Sequence, residues 1–349
     1  MFKKGKRSLV AAFLLWVFAM LGVDFFDVGS LLQQQWPIQI NGETTPTGSW
    51  GFPNSLPTTN QPQTTPTQVT VEFQRTQNLI AIGSFNIQVF GDSKMSKPEV
   101  VAILADIVRQ FDVLAIQEIR TTNQNHIADF VAFINQRYGT RYNYVIGPRQ
   151  GRTNSKEQYC FIFDTDRIEL THPGYIVPDP QDSMHREPMV SIFRTRVNNG
   201  YQPFSFILAN VHTDPDEVTG ELVALNSFYD QLRQYHPYED DIILLGDFNA
   251  PPNKFGPMGS RPEIAFAVPP HRPTNTRGSR NLDNIVFDRL RTTEFVGGGV
   301  FDMIHSYNLT MEQALQVSDH VPVWGLFTIN ERTNVVQNVS SGNFAVDSR

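Results

Sequence analysis

Short apolar runs that end in polar groups recur along the chain, between segments whose apolar residues fall three and four apart. Leu79-Ile-Ala-Ile-Gly-Ser-Phe-Asn-Ile87 has the character of a strand buried on both faces, as do residues 113–116, 159–163, 189–197, 204–211, 242–245, 284–287 and 321–327. Helical spacing puts Val100, Val101, Ile103, Leu104, Ile107 and Val108 on one face, opened by Ser96-Lys-Pro-Glu99 as a capping box with Pro in the first turn. A second face is Ile127, Phe130, Val131, Ile134 and Tyr138, closed by Gly139. A third is Val218, Leu222, Leu225, Phe228, Tyr229 and Leu232, capped within Asp214-Pro-Asp-Glu217 and stopped before Pro237. Strands mixed with helices, several of the strands continuously apolar, predict an α/β fold in which helices cover the sheets.

The two ends of the chain break this pattern. Lys3, Lys4, Lys6 and Arg7 precede an unbroken apolar run from Leu9 to Val23, the layout of an export signal. The run is short against the roughly twenty residues of a membrane span. Two readings stay open for residues 1–30: a cleaved signal peptide, or an uncleaved signal anchor that contacts the membrane through residues 9–23. Between Val28 and Val71 the sole charge is Glu43, among Pro, Thr, Gln, Asn and Gly. Such a stretch buries too little apolar surface to offset its ordering entropy, so residues 31–72 are expected to be a flexible linker. Residues 73–330 form one domain-sized block, and residues 331–349 a polar tail.

Composition narrows the chemistry. The 349 residues are 40% hydrophobic and 18% charged, which excludes a wholly disordered chain. One cysteine, Cys160, excludes an internal disulfide framework and a cysteine-cluster zinc site. The net charge of −7 excludes a general polyanion binder, so any nucleic-acid contact rests on a local patch.

Candidate chemistry collects at strand ends. Asn86, Glu118, His212, Asp247 and Asn249 lie at or just beyond the ends of apolar runs; Glu157, Asp283, Asp319 and His320 lie just before them. Strands deliver their ends to a shared edge, where ligand sites form. Acidic and amide oxygens without cysteine suit a hard divalent cation. Two histidines with carboxylates at hand suit general acid and base work. His126, His172, His185, His236, His271 and His305 lack such surroundings and are expected on loops or the surface.

These residues resemble the endonuclease/exonuclease/phosphatase superfamily, and within it the deoxyribonuclease I branch. The similar stretches are Phe85-Asn-Ile-Gln-Val-Phe-Gly-Asp-Ser-Lys-Met-Ser96, Ile116-Gln-Glu-Ile-Arg120, Lys156-Glu-Gln-Tyr159, Arg186-Glu-Pro188, Val211-His-Thr213, Gly246-Asp-Phe-Asn-Ala250, Leu282-Asp-Asn-Ile285 and Ser318-Asp-His-Val-Pro-Val323. They follow the family's order across nearly all of residues 79–329. The resemblance implies a four-layer αββα sandwich of two mixed sheets flanked by helices. It implies His212 and His320 as the acid/base pair, oriented by Glu157 and Asp283. It implies Asp247, Asn249 and Asn86 at the scissile phosphate or its metal, Glu118 and Asp319 as metal carboxylates with Asn86, and Arg120, Arg186 and Arg152 on the nucleic acid.

The implied ion is Mg²⁺, with Mn²⁺ or Ca²⁺ as alternatives. The implied activity is an exported endonuclease, acting on DNA as a monomer outside the cytoplasm, secreted, periplasmic or membrane-anchored. A phosphodiesterase or phosphatase on a phospholipid or inositol phosphate is the alternative, and a catalytically silent, envelope-tethered binding module a further one. The sequence departs from the pattern at Ser155, where a groove-packing tyrosine is usual, and in the loop Arg272-Pro-Thr-Asn-Thr-Arg-Gly-Ser-Arg280.

Overall fold

The computed structural model describes residues 39–40, 73, 75–153, 155–198 and 200–332. The expected export signal, most of the expected linker and nearly all of the expected polar tail lie outside these residues. Among the described residues, no helix is long and apolar enough to cross a membrane.

Two mixed sheets stack face to face. The first contains β1 (Gln39–Ile40), β2 (Leu79–Phe90), β3 (Val113–Ile119), β4 (Tyr142–Ile146), β5 (Gln158–Asp164), β12 (Phe295–Val300) and β13 (Val323–Thr328). Their order across the sheet is β1-β4-β5-β3-β2-β13-β12. The second contains β6 (Ile168–Ile176), β7 (Met189–Thr195), β8 (Ser205–His212), β9 (Ile242–Asp247), β10 (Ile264–Phe266) and β11 (Asp283–Asp288), in the order β10-β11-β9-β8-β7-β6. Each sheet has one parallel pair at its centre, β2 with β3 and β8 with β9, and antiparallel neighbours elsewhere.

Helices α1 (Asp92–Met95), α2 (Pro98–Val108), α3 (His126–Tyr138), α4 (Val218–Tyr235), α5 (Gly256–Gly259), α6 (Met303–Ser306) and α7 (Met311–Val317) complete the set. α2 and α3 cover the first sheet and α4 the second. The architecture is the αββα sandwich that the resemblance implies.

Alternation along the strands builds the layers. Ile80, Ile82, Val113, Ala115, Ile243 and Leu245 enter the core between the sheets. Their neighbours Ala81 and Leu114 face α2 and α3, while Ile242 and Leu244 face α4. Both faces are therefore apolar, and these strands lack the polar alternation of a solvent-facing sheet. A polar pair bridges the apolar interlayer: Gln117 Nε2 donates to Asn210 Oδ1 at 2.6 Å, and Asn210 Nδ2 donates to the carbonyls of Ile116 and Cys160 at 3.2 Å.

Several local expectations change. Ser96 closes α1 and bonds Ser93 O, and Lys97 opens α2 without a side-chain cap, so the capping box does not form. α4 is capped at Glu217, again with no side-chain hydrogen bond. Asp214 instead accepts from Asp216 N, and Glu221 from Asp214 N. Gln39–Ile40, inside the expected linker, pairs with β4. His126 is buried, edge-on to Phe90, because it opens α3 against the first sheet instead of lying on a loop.

The register sets where chemistry can occur. Asp247 is paired with His212 on one side and Asp283 on the other. The preceding Gly246 has φ +152°, and a Cβ there would lie 1.8 Å from Val211 O. Gly246→Ala is expected to destabilise the fold by about 3 kcal/mol or more, because backbone has to move. Chemical denaturation checks this; a change under about 1 kcal/mol contradicts the close approach.

Candidate active site

The ends of the two parallel pairs and the starts of their antiparallel neighbours meet at one edge of the sandwich. β2 brings Asn86, β3 Glu118, β8 His212 and β9 Asp247. Glu157 precedes β5, Asp283 opens β11, and Asp319 and His320 precede β13. The β2–β3 register slips after Asn86, and Val89 and Glu118 take left-handed φ of 51° and 62°. Such irregularities re-aim a side chain at a strand end. Here Glu118 turns so that Oε1 accepts from Asn86 Nδ2 at 3.2 Å and Oε2 from Val89 N at 2.9 Å.

Two histidine–carboxylate pairs form the centre. His212 Nδ1 lies 2.7 Å from Glu157 Oε1, and His320 Nδ1 lies 2.8 Å from Asp283 Oδ2. Each carboxylate fixes its ring and leaves Nε2 free to point inward. Both Nε2 atoms approach the same oxygen, Asp247 Oδ2, at 3.6 Å from His212 and 3.5 Å from His320. Asn86 Nδ2 donates to that oxygen at 3.0 Å, while Asp247 Oδ1 accepts from Asn249 N at 2.9 Å. Asn249, at φ 50°, anchors its own Nδ2 on Thr213 O at 2.9 Å.

Electrostatics follow from these contacts. Burial disfavours the charged His320 ring, but Asp283 and Asp247 outweigh it and hold the imidazolium well above its ordinary range, up to about 10. Burial, opposed by Glu157 and Asp247, likewise leaves His212 raised. Burial would raise Glu157; the facing His212, Arg186 and Arg120 instead leave it below the usual carboxylate range.

The remaining expected residues separate into three groups. Arg120 bridges Glu118 at 3.2 Å and Glu157 at 3.5 Å, inside the site. Arg186 is only 5% exposed, and its Nε is engaged by His212 O at 3.1 Å and Glu157 at 3.4 Å. It supports the His212–Glu157 pair from behind. Arg152 stands apart, bound to Asp182, Glu217 and Met184 O, with no contact to the central residues. Asp319, on the rim, lies 3.9 Å from His320 Nε2.

The site also uses residues to which the sequence reading gave no role. Thr274 Oγ1 donates to Asp283 Oδ2 at 2.7 Å, and Tyr159 OH accepts from His212 N at 2.9 Å. Lys94 bridges Gln88 O at 2.6 Å and Val317 O at 2.7 Å, joining the Asn86 strand to the segment before Asp319. Burial lowers this ammonium to about 8 against the pull of Glu118 and Asp319. Lys94 was within reach of sequence reasoning, since it lies in the motif that carried the resemblance.

Two donor sets suit a cation. Asp247, Asp283 and His320 have ligand atoms within 4.8 Å of one another. Asp283 Oδ2 there is already engaged by His320 Nδ1 and Thr274, which suits the triad to holding a proton, while Asp283 Oδ1 is buried without a partner. Asn86 and Glu118 fit a metal better. Asn86 Oδ1 is buried without a partner, an acceptor waiting for a cation, and the carboxylate beside it is a hard oxygen donor.

Comparison with known proteins agrees with this geometry. The model of the "Endonuclease/Exonuclease/phosphatase family" matches residues 83–320. Deoxyribonuclease gamma of Rattus norvegicus is 31% identical over 265 residues, covering 69% of this chain and 82% of that protein. Deoxyribonuclease-1 of Bos taurus is 30% identical over 261 residues, covering 70% and 90% respectively. Among solved structures, an endonuclease/exonuclease/phosphatase family protein from Bacteroides thetaiotaomicron has a TM-score of 0.50 at 14% identity, covering 72% of this chain and 95% of that one.

In metal-free protein, His320 is expected to remain protonated at pH 8, and Asp283→Asn to return it toward or below about 6.5. NMR titration of the ring checks this; an unchanged His320 titration in Asp283→Asn contradicts it. A raised imidazole stabilises the fold fully below the unfolded value near 6.5, and that contribution fades as pH climbs through about 10. The converging histidine pairs, the strand-end carboxylates and the family match over residues 83–320 together identify this chain as a member of the endonuclease/exonuclease/phosphatase family.

Proposed function

We propose that the chain is a divalent-metal-dependent endonuclease that hydrolyses phosphodiester bonds in DNA by attack of water, and that it acts outside the cytoplasm. The observation that carries the chemistry is the pair of buried histidine–carboxylate dyads whose Nε2 atoms converge on Asp247 Oδ2. DNA as the substrate is supported by the two relatives of about 30% identity, each a deoxyribonuclease. Action outside the cytoplasm rests on the basic and apolar start of the sequence.

Hydrolysis at phosphorus needs a deprotonated water, relief of negative charge on the phosphoryl oxygens, and a proton for the departing oxygen. In this reading a phosphate enters between the two Nε2 atoms, in place of their approach to Asp247. One imidazole accepts the proton of the attacking water as the P–O bond forms. The other, already an imidazolium, protonates the leaving oxygen as the opposite P–O bond breaks. His320, raised by Asp283 and Asp247, suits the donor role. Asp247 and Asn249 orient the water and the phosphoryl oxygens, and Asn86 holds the carboxylates apart.

Asn86 and Glu118, with Asp319 at the rim, would hold the divalent ion, which supplies positive charge against the phosphoryl oxygens. Arg120 faces the same edge, and Arg186 steadies the general base or acid from behind. Arg152 reaches a neighbouring phosphate only after leaving Asp182 and Glu217. The exposed Arg272, Arg277 and Arg280 belong to the loop whose Thr274 grips Asp283, so backbone contacts made there act beside the reaction.

Purified protein is expected to nick supercoiled plasmid with Mg²⁺ and to stop when a chelator is added. His212→Ala and His320→Ala are each expected to lower the rate roughly 10²–10⁴-fold while the thermal unfolding curve stays cooperative. Absence of cleavage with every divalent ion, alongside turnover of a phospholipid or inositol phosphate, would move the assignment to that substrate class.

A further inference from the structure

A second group of converging carboxylates lies at the far end of the sandwich. Asp241 immediately precedes β9 and Asp247 ends it, so about 20 Å of strand separates the two. Glu294 precedes β12 and Glu331 follows β13. One oxygen from each of Asp241, Glu294 and Glu331 lies within 4.8 Å of the others. Glu239, Asp240 and Asp241 form an overlapping group of the same size, and Glu239 Oε1 accepts from Asp241 N at 3.1 Å.

Surface acidic clusters are common and carry little meaning, but two members of this one are buried and the third half-buried. Asp241 is 2% exposed and Glu294 1%. Asp241 Oδ1 is buried with no hydrogen-bond partner. The Thr292 hydroxyl is close enough to influence Asp241, yet its oxygen is also buried without a bond of ordinary geometry.

Positive charge does not answer these groups. Arg291 pairs with Asp288 at 3.4 Å and reaches only Asp240, at 3.9 Å. The Arg332 guanidinium donates to Thr293 O at 2.9 Å, and only its backbone N–H meets Glu294. Among the described residues, Asp241, Glu294 and Glu331 make no ion pair with Lys, Arg or His. Buried, adjacent carboxylates without a counter-charge are held either by shared protons or by a bound cation.

We propose that Asp241, Glu294 and Glu331, with the Thr292 hydroxyl, form a calcium site that fastens the end of β13 to the start of β9 and to the segment before β12. Three carboxylates and a hydroxyl make a hard, all-oxygen donor set. Its irregular arrangement, drawn from three separate segments, suits calcium's flexible coordination over the strict octahedron of magnesium. The fastening also reaches β8, since Glu331 Oε1 accepts from Ser205 N at 2.8 Å. The ion would thus hold the starts of β8 and β9, whose other ends carry His212 and Asp247. Burial, with the neighbouring Glu294, pushes the Asp241 carboxyl up to about 9 when no cation is present.

The test uses the full chain carrying Glu118→Gln, which removes the carboxylate of the proposed catalytic ion and leaves the far cluster intact. Thermal unfolding is followed in calcium-free buffer and with calcium added. A rise of about 5 °C is expected once calcium stands about a hundredfold above its dissociation constant. Adding Glu331→Gln, at a half-buried position, or Glu294→Gln is expected to abolish that rise. Equilibrium dialysis against radioactive calcium is expected to lose one bound ion in the same variants. An undiminished calcium response in both glutamine variants overturns the proposal. So does a parent that ignores calcium and gains stability only as pH falls, which assigns the cluster to shared protons.

Discussion

The buried carboxylate of Asp247 is the constraint on which the site rests. A charge only 2% exposed costs several kcal/mol to take from water unless its neighbours satisfy it. Asn249 N and Asn86 Nδ2 satisfy it by hydrogen bonds, and two imidazoles face it with Nε2. Asp283 and Glu157, joined by this same negative charge, raise the two imidazoles against a burial that would lower them. Glu157 and Asp283 set the plane of each ring, and Asp247 is the shared point that both Nε2 atoms face.

Backbone strain gathers around this residue. Val89, Glu118 and Asn249 occupy left-handed conformations that cost of order 1–3 kcal/mol each outside glycine. They persist because the frame around them is rigid: three apolar interlayers pack the sheets against each other and against their helices, and Gln117 with Asn210 bolts the sheets together beneath the site. The two dyads draw on both sheets. Glu157 and His320 flank strands of the first, His212 and Asp283 belong to the second, so any slip between layers would part both pairs at once. The polar bolt between otherwise dry sheets is well placed to prevent it.

Charge is distributed unevenly over an acidic chain. Near the catalytic edge, Arg120 and Arg186 offset Glu118 and Glu157, and the loop that braces Asp283 through Thr274 presents three exposed arginines. At the other edge, Asp241, Glu294 and Glu331 lie together without such compensation. Positive charge near the histidines is where a polyanion would meet the site.

Much of this arrangement is legible in the linear sequence because it is local. Continuous apolar runs mark strands covered on both faces, and the period-3.6 faces mark α2, α3 and α4. Catalytic candidates stand out because they interrupt apolar runs at their ends. Strands without such a signal stayed hidden: β6 mixes exposed and buried positions, and β12 is Phe-Val-Gly-Gly-Gly-Val. So did the failure of Ser96 to cap α2, the burial of His126, and the contrast between buried Arg186 and detached Arg152. Each depends on a partner distant in sequence. Residue type and spacing thus marked the polar groups that meet at one edge of the sandwich. Register and layer packing alone decided that two imidazoles converge on Asp247, that Lys94, Tyr159 and Thr274 hold their neighbours in place, and that a second acidic cluster closes the far end. Hydrogen bonds and burial belong to pairs of atoms brought together in space, and a chain specifies those pairs only once its sheets have formed.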